Sequence, residues 1–265
     1  MISHIIKRLV ENKELLREFV VRDLKMRYVG SMVGFFWSVI NPLLTLLIYT
    51  FLFSVILKVK LSGEAGVTNF ALYLFCGMLP WIAFQDTVNR STTCVVDHEK
   101  LIKKLVFPAK ILPLYIAISS LISEFIGVVI LLLAIIFIMH FISPFILLLP
   151  IIVFFQVLFS LGFSFAFAAL NVPVRDISPI SGVLLTVWMY LTPIFYPQTI
   201  VPERYIDIYM LNPMAHLVIM YRDIFLNNKM FSIFSLFYFS LVSVLFFLAG
   251  YFIFTKFHKK FVDFL

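Results

Sequence analysis

Six long apolar runs, at about 33 to 57, 70 to 93, 111 to 140, 145 to 170, 179 to 196 and 231 to 255, constrain this 265-residue chain more than any other feature. A helix needs about 20 apolar residues to cross roughly 30 Å of hydrocarbon, and each run comes close to or exceeds that length. None alternates polar with apolar as a barrel strand would. Hydrophobic residues make up 62% of the chain and charged residues 13%, against roughly 45 to 50% and about 25% in soluble domains. The excess is spread along the whole length, which excludes a soluble enzyme carrying one anchor. The expected fold is an all-α membrane protein with six transmembrane helices in a single domain over residues 1–265.

The net charge of +7 would suggest nucleic acid in a soluble protein. Here the basic residues flank the apolar runs, where the positive-inside rule accounts for them. Sixteen of the 21 Lys and Arg fall in the segment before the first run, in the second and fourth connections, and after the last run. The other five are Lys58, Lys60, Arg204, Arg222 and Lys229. Both termini are therefore expected in the cytoplasm. The charged segment before the first run and the lack of a small-residue cleavage site argue against a signal peptide, so the chain is expected to begin at or near Met1. Cys76 and Cys94 lie on one predicted helix, roughly 27 Å apart along its axis, too far to bridge each other.

Three segments outside the runs have their own patterns. Residues 1–28 read as an amphipathic helix with Ile5, Leu9, Leu16, Phe19, Val20 and Leu24 near one face, suited to the headgroup boundary. It is either a topology anchor or a collar around a partner subunit. Residues 95–108 read as a short helix with Asp97 and Glu99 early and Lys100, Lys103 and Lys104 late, an apolar stripe including Leu101, and Pro108 as its stop. That helix either rests on lipid headgroups or docks into a soluble motor. The turn carrying Arg175 and Asp176 faces the same compartment and offers a second contact. Residues 197–229 combine Pro197, Pro202 and Pro213 with many apolar residues. Such a segment suits a re-entrant hairpin, two short helices meeting near Asn212 and Pro213, able to gate an exit on the outer side.

Catalytic and metal-binding patterns are missing from the sequence. It contains no G-x-x-x-x-G-K-[ST] phosphate loop, no H-E-x-x-H pair and no G-x-S-x-G elbow. The five histidines are scattered without ligand spacing. Ionisable groups within the runs are few: Asp86 and Arg90, spaced to neutralise each other on one helix, and Glu124, among Ser119, Ser120 and Ser123 and facing either a wet cavity or a basic partner. A proton-driven transporter would need more such groups in several spans. Its energy is expected to come from elsewhere.

Five stretches in order, Arg22 to Leu44, Lys100 to Leu114 ("KLIKKLVFPAKILPL"), Val172 to Ile177 ("VPVRDI"), Thr192 to Pro197 ("TPIFYP") and Leu211 to Asp223 ("LNPM" then "YRD"), carry a resemblance that covers essentially the whole chain. Together they resemble the permease subunit of type-2 ABC exporters, in the branch that moves lipid-linked polysaccharides such as O-antigen. Val33, where the pattern expects Leu, is a minor departure. The resemblance implies a homodimer joined to two copies of an ABC nucleotide-binding subunit in a bacterial inner membrane. ATP and magnesium would belong to that partner, with no cofactor, metal or catalytic residue in this chain. Coupling is implied at Glu99, Lys100, Leu101, Lys103, Lys104 and Phe107 with Arg175 and Asp176. The hairpin becomes the periplasmic gate, with Pro193, Pro197, Asn212 and Pro213 at its corners.

The implied cargo is an undecaprenyl-diphosphate-linked O-antigen polysaccharide. Capsule or teichoic acid, a small molecule, and an integral membrane enzyme acting on lipid-linked sugars are the alternatives. Aromatic residues are 17% of the chain, and Phe35, Phe36, Trp37, Tyr49, Trp188, Tyr190, Phe195 and Tyr196 are candidates to line a channel on which sugar rings slide. Interfacial anchoring and lipid-facing filler explain the same rings equally well.

Overall fold

The computed structural model describes residues 13–27, 37–49, 51–52, 56, 70–104, 107–198, 201–258 and 260–264. Among them every regular element is helical. In order they are α1 (Lys13–Met26), α2 (Trp37–Tyr49), α3 (Phe70–Asp97), α4 (Glu99–Lys104), α5 (Ile111–Met139), α6 (Leu149–Asn171), α7 (Ile177–Leu191), α8 (Ile206–Met210), α9 (Pro213–Phe225), α10 (Ile233–His258) and α11 (Phe261–Phe264). Among the described residues, four spans are long and apolar enough to cross a membrane: α3, α5, the segment Pro144–Asn171 that joins a 3-10 turn to α6, and α10.

The other two expected spans differ from the sequence reading for local reasons. α7 has 15 residues, about 22 Å at 1.5 Å per residue, and falls short of the bilayer core on its own. It ends at Leu191 instead of 196 because Pro193 pushes the preceding Thr192 into extended backbone (φ −94°, ψ 142°). The first expected span contains α2, with Pro42 inside it; the rest of that span lies largely outside the described residues. The hairpin segment holds a 3-10 turn at Glu203–Tyr205, then α8 and α9, with Asn212 as the α9 N-cap and Pro213 in its first turn. Two short helices do meet at Asn212 and Pro213.

α3 is the central post. It is the most buried of the four spans, and it packs against α5, α6, α7 and α9. It also carries many polar residues for a span, including Gln85, Asp86, Asn89 and Arg90, which lipid cannot satisfy and neighbouring helices can. α10 runs along α6, where Gly162 meets Gly250 so closely that a Cβ on either would enter the other helix's backbone. Small residues at helix crossings let backbones approach in this way.

Two packed regions follow from the arrangement. One surrounds the N-terminal two thirds of α3 with Phe84, Phe159, Phe225 and Phe239. The second gathers Val20 of α1, Cys94 and Val95 of α3, Leu112 and Tyr115 of α5, and Phe254 and Phe261 near the C-terminus. Leu16, Phe19, Val20 and Leu24 of the apolar stripe expected on the first helix thus face the protein, where Phe19 meets Phe107 at 5.7 Å and Tyr115 at 5.3 Å, while Ile5 and Leu9 lie outside the described residues. Cys76 and Cys94 are free and buried on α3. Gly250→Val should force α6 and α10 apart and lower stability by about 1 to 3 kcal/mol, read as a reduced melting temperature of the purified protein in detergent.

Candidate functional site

Among the described residues, three clusters of polar side chains link helices within the bundle. The first ties α1 to α3. Arg27 donates to Asp86 at 2.9 Å and to Asp23 at 3.2 Å, while Arg90 donates to Asp86 at 3.4 Å and also to Asp23. Ser120 of α5 adds a donor to Asp86 at 2.5 Å, and Arg27 reaches Ser123 at 3.3 Å. The expected Asp86–Arg90 pair is present, but it is one edge of a four-charge square that alternates in sign around its perimeter. All four side chains are largely shielded, which weakens screening by salt.

Beside this square lies a cavity of about 320 Å³ that reaches from Arg27 and Asp86 to Glu124 and is flanked by Asn41 and Thr45 of α2. Glu124 is buried. Its partners are Gln156 of α6, whose Nε2 donates at 2.8 Å, and Tyr221 of α9, whose hydroxyl lies 2.7 Å away. Of the two surroundings expected of Glu124, the structure places a cavity beside it, while its sequence neighbours Ser120 and Ser123 turn to the charge square.

Arg222 of α9 forms the third cluster. Its guanidinium donates to the carbonyls of Pro193 at 2.6 Å and Ile194 at 2.9 Å, and to the Tyr73 hydroxyl at 2.7 Å. It also stacks 3.4 Å from the Tyr73 ring centroid. Gly77 makes room: a Cβ there would sit 2.7 Å from the guanidinium. Arg222, one of the five cations set apart from the basic-rich segments, is a buried clamp holding the corner after α7 to α3 and α9. Asn212 reinforces the corner, accepting from Trp188 Nε1 at 2.9 Å and Met214 N at 3.0 Å while donating to Thr192 Oγ1 at 3.0 Å.

The structure brings some of the sequence candidates together. Trp188 and Asn212 meet directly, and Trp188 packs against Trp81, Phe84, Phe159 and Phe163 within the protein. Tyr190 stacks on Phe195 at 5.5 Å, and Tyr196 donates to the Tyr190 carbonyl. A cavity of about 660 Å³ opens between α7 and the hairpin, lined by Trp188, Tyr196, Tyr205, Tyr209, Asn212 and Pro213. Pro197 lies just beyond Tyr196 at the start of the hairpin. Phe35 and Phe36 lie outside the described residues, as do the side chains of Trp37, Tyr49 and Lys104.

At the other end of α3, Glu99 and Lys103 pair at 2.6 Å on α4, and Phe107 follows against Phe19. Lys100 and Leu101 border a cleft shared with Arg22, Asp23 and Met26 of α1. Arg175 lies close enough to Glu99 for its charge to act there, so α4 and the Arg175–Asp176 turn share one end of the bundle. Lys103 holds the Glu99 carboxyl below its ordinary range, chiefly through their hydrogen bond and then through its charge. The pair is therefore intact at neutral pH and is lost only as pH falls through that lowered range.

Residues 14–226 match the family described as ABC-2 type transporter. The chain belongs to that family. It is 31% identical over 228 residues to the O-antigen export system permease protein RfbA of Myxococcus xanthus, covering 85% of each chain. It is 30% identical over 258 residues to the protein of the same name from Klebsiella pneumoniae, covering 95% of each. The polysialic acid transport protein KpsM of Escherichia coli is 22% identical over 214 residues, with 80% and 81% coverage.

As an ABC-2 type membrane protein, the chain is multi-pass, and three of its architectural residues were not legible as such in the sequence. Gln156 and Tyr221 look like ordinary residues of apolar helices, and Tyr73 looks like an interfacial ring. Asp23 and Arg27 had a local signal that was passed over, opposite charges spaced i,i+4 on one helix. Arg222→Lys should cost about 1 to 3 kcal/mol, because one ammonium cannot span the carbonyls and hydroxyl that a planar fork reaches. Thermal unfolding in detergent measures the loss, and a wild-type midpoint would remove the clamp from the account.

Proposed function

We propose that this chain is the channel-forming permease subunit of an ATP-driven exporter of lipid-linked O-antigen polysaccharide. The observation that carries the reading is similarity to an O-antigen export permease along 95% of both chains. In this reading six spans cross a bacterial inner membrane, α2 with its flanks and α7 with the following corner completing the four long ones, and both termini are cytoplasmic. Two copies pair and two nucleotide-binding subunits drive them. The cargo is carried on undecaprenyl diphosphate.

α4 is the natural handle for such a motor. It is a short amphipathic helix braced by Glu99–Lys103 and set beside α1 and the Arg175 turn, and Phe107 beyond it packs with Phe19 against the cluster that holds Leu112 and Tyr115 of α5. A push on α4 passes into α3 and α5 as a rigid-body shift. It also reaches the charge square that joins α1 to α3. At the far end, the hairpin closes over the aromatic cavity, and its corner is fixed by Arg222 and Asn212. Rings such as Tyr190 and Tyr196 offer sugars flat apolar faces with few fixed hydrogen bonds, which suits a sliding polymer. The similarity to a polysialic acid transport protein keeps capsule as the second reading of the cargo.

Cells lacking the gene should accumulate lipid-linked polymer on the inner side, and a normal distribution of polymer would refute the cargo assignment. Lys103→Glu with Lys104→Glu should reverse the charge of α4 and reduce surface polysaccharide at least tenfold while the protein still reaches the membrane. Undiminished surface polymer in that variant would remove α4 as the handle. Tyr190→Ala, at a ring that is 61% exposed, should slow export without altering abundance; unchanged export would leave Tyr190 as lipid-facing filler.

A further inference from the structure

Glu124 of α5, Gln156 of α6 and Tyr221 of α9 form a closed triangle of polar contacts inside the bundle. The Tyr221 hydroxyl lies 2.7 Å from Glu124 Oε1 and 2.8 Å from Gln156 Oε1, and Gln156 Nε2 lies 2.8 Å from Glu124 Oε2. All three residues are buried, so each side of the triangle has to contain a proton. Tyrosine has one proton to give, and the amide nitrogen faces one neighbour. An ionised carboxylate has none. With Glu124 ionised, one side would hold two oxygens in contact with no hydrogen between them, a costly arrangement at this depth.

Rotating the Gln156 amide does not cure the deficit. Its nitrogen would then serve Tyr221, the hydroxyl would serve Glu124, and the amide oxygen would face a bare carboxylate oxygen. A carboxylic acid completes the ring in either orientation. We propose that Glu124 is a buried proton-binding site: a neutral acid that closes a three-sided hydrogen-bond ring and latches α9, the inner arm of the hairpin, to α5 and α6.

The surroundings fit a neutral occupant. From α6 the ring is met by Gln156, and from α9 by Tyr221, with the Cys76 thiol of α3 within electrostatic reach of Tyr221. Across the cavity, α2 presents Asn41 and Thr45, which carry no charge. The charged groups there, Arg27 and Asp86, are paired at 2.9 Å. No cation among the described residues contacts the Glu124 carboxyl. The same cavity, with Ser120 and Ser123 on its wall, gives water a route to deliver the proton. Glu124 then acts as a donor inside the protein, and loss of its proton would open the ring and release the polar tie of α9 to α5 and α6, leaving the Arg222 clamp to hold α9 to α3.

Infrared difference spectra of the full-length chain in lipid vesicles test the proposal without reference to any cargo. At neutral pH, wild type minus Glu124→Gln should contain the carbonyl stretch of a hydrogen-bonded carboxylic acid. Tyr221→Phe should shift that band to higher frequency by removing its partner. Glu124→Gln, whose amide supplies the missing donor, should keep the wild-type melting temperature, and Glu124→Ala should lower it. Carboxylate stretches in place of the acid band, or a Glu124→Gln melting temperature as low as that of Glu124→Ala, would overturn the proposal.

Discussion

A polar group in hydrocarbon has to find its partner within the protein, and that demand organises this molecule. Lipid matches a leucine as well as another leucine does, so apolar contact alone gives helices little reason to choose their neighbours. Choice comes from the groups that lipid cannot satisfy. The square of Asp23, Arg27, Asp86 and Arg90 decides where α1 lies, the Glu124 triangle decides how α9 meets α5 and α6, and the Arg222 fork decides where the chain turns after α7. α3, the most polar of the long helices, ends up in the centre because it has the most partners to find.

The same demand separates the ends of the bundle into two kinds of machinery. One end collects charge: α1, α4 and the Arg175 turn sit together with paired side chains and exposed lysines. The other collects rings and prolines, in a corner whose backbone carbonyls are held by Arg222 and whose helix start is capped by Asn212. Between them lie helices whose ionisable groups, among the described residues, are already committed to partners. A body built this way transmits displacement well, and the charges of its described helices are tied up in holding it together. Work supplied from outside, by the kind of nucleotide-hydrolysing partner the ABC-2 family name indicates, suits that construction.

Much of this was legible in the sequence. The long apolar runs gave α3, α5, α6 and α10, Pro213 marked where two short helices meet, and Asp86 and Arg90 were spaced as a pair. The 3.6-residue period exposed the apolar face of α1, although not its burial against Phe107 and Tyr115. What stayed hidden depended on tertiary contact. Arg222 reads as a loop charge until Tyr73 and the carbonyls of Pro193 and Ile194 surround it, because nothing local distinguishes a buried guanidinium from an exposed one. Gln156 and Tyr221 carry no pattern of their own and gain meaning only from the carboxyl opposite. The length of α7 was overestimated because apolar content continued past Pro193 while helical backbone did not.

Reconstitution addresses the central claim most directly. The chain, placed in vesicles loaded with lipid-linked polysaccharide, should move no polymer either alone or under an imposed pH gradient, and should begin to do so when the nucleotide-binding subunit proposed for it and ATP are added. Polymer crossing the bilayer with this chain as the only protein present would contradict the account.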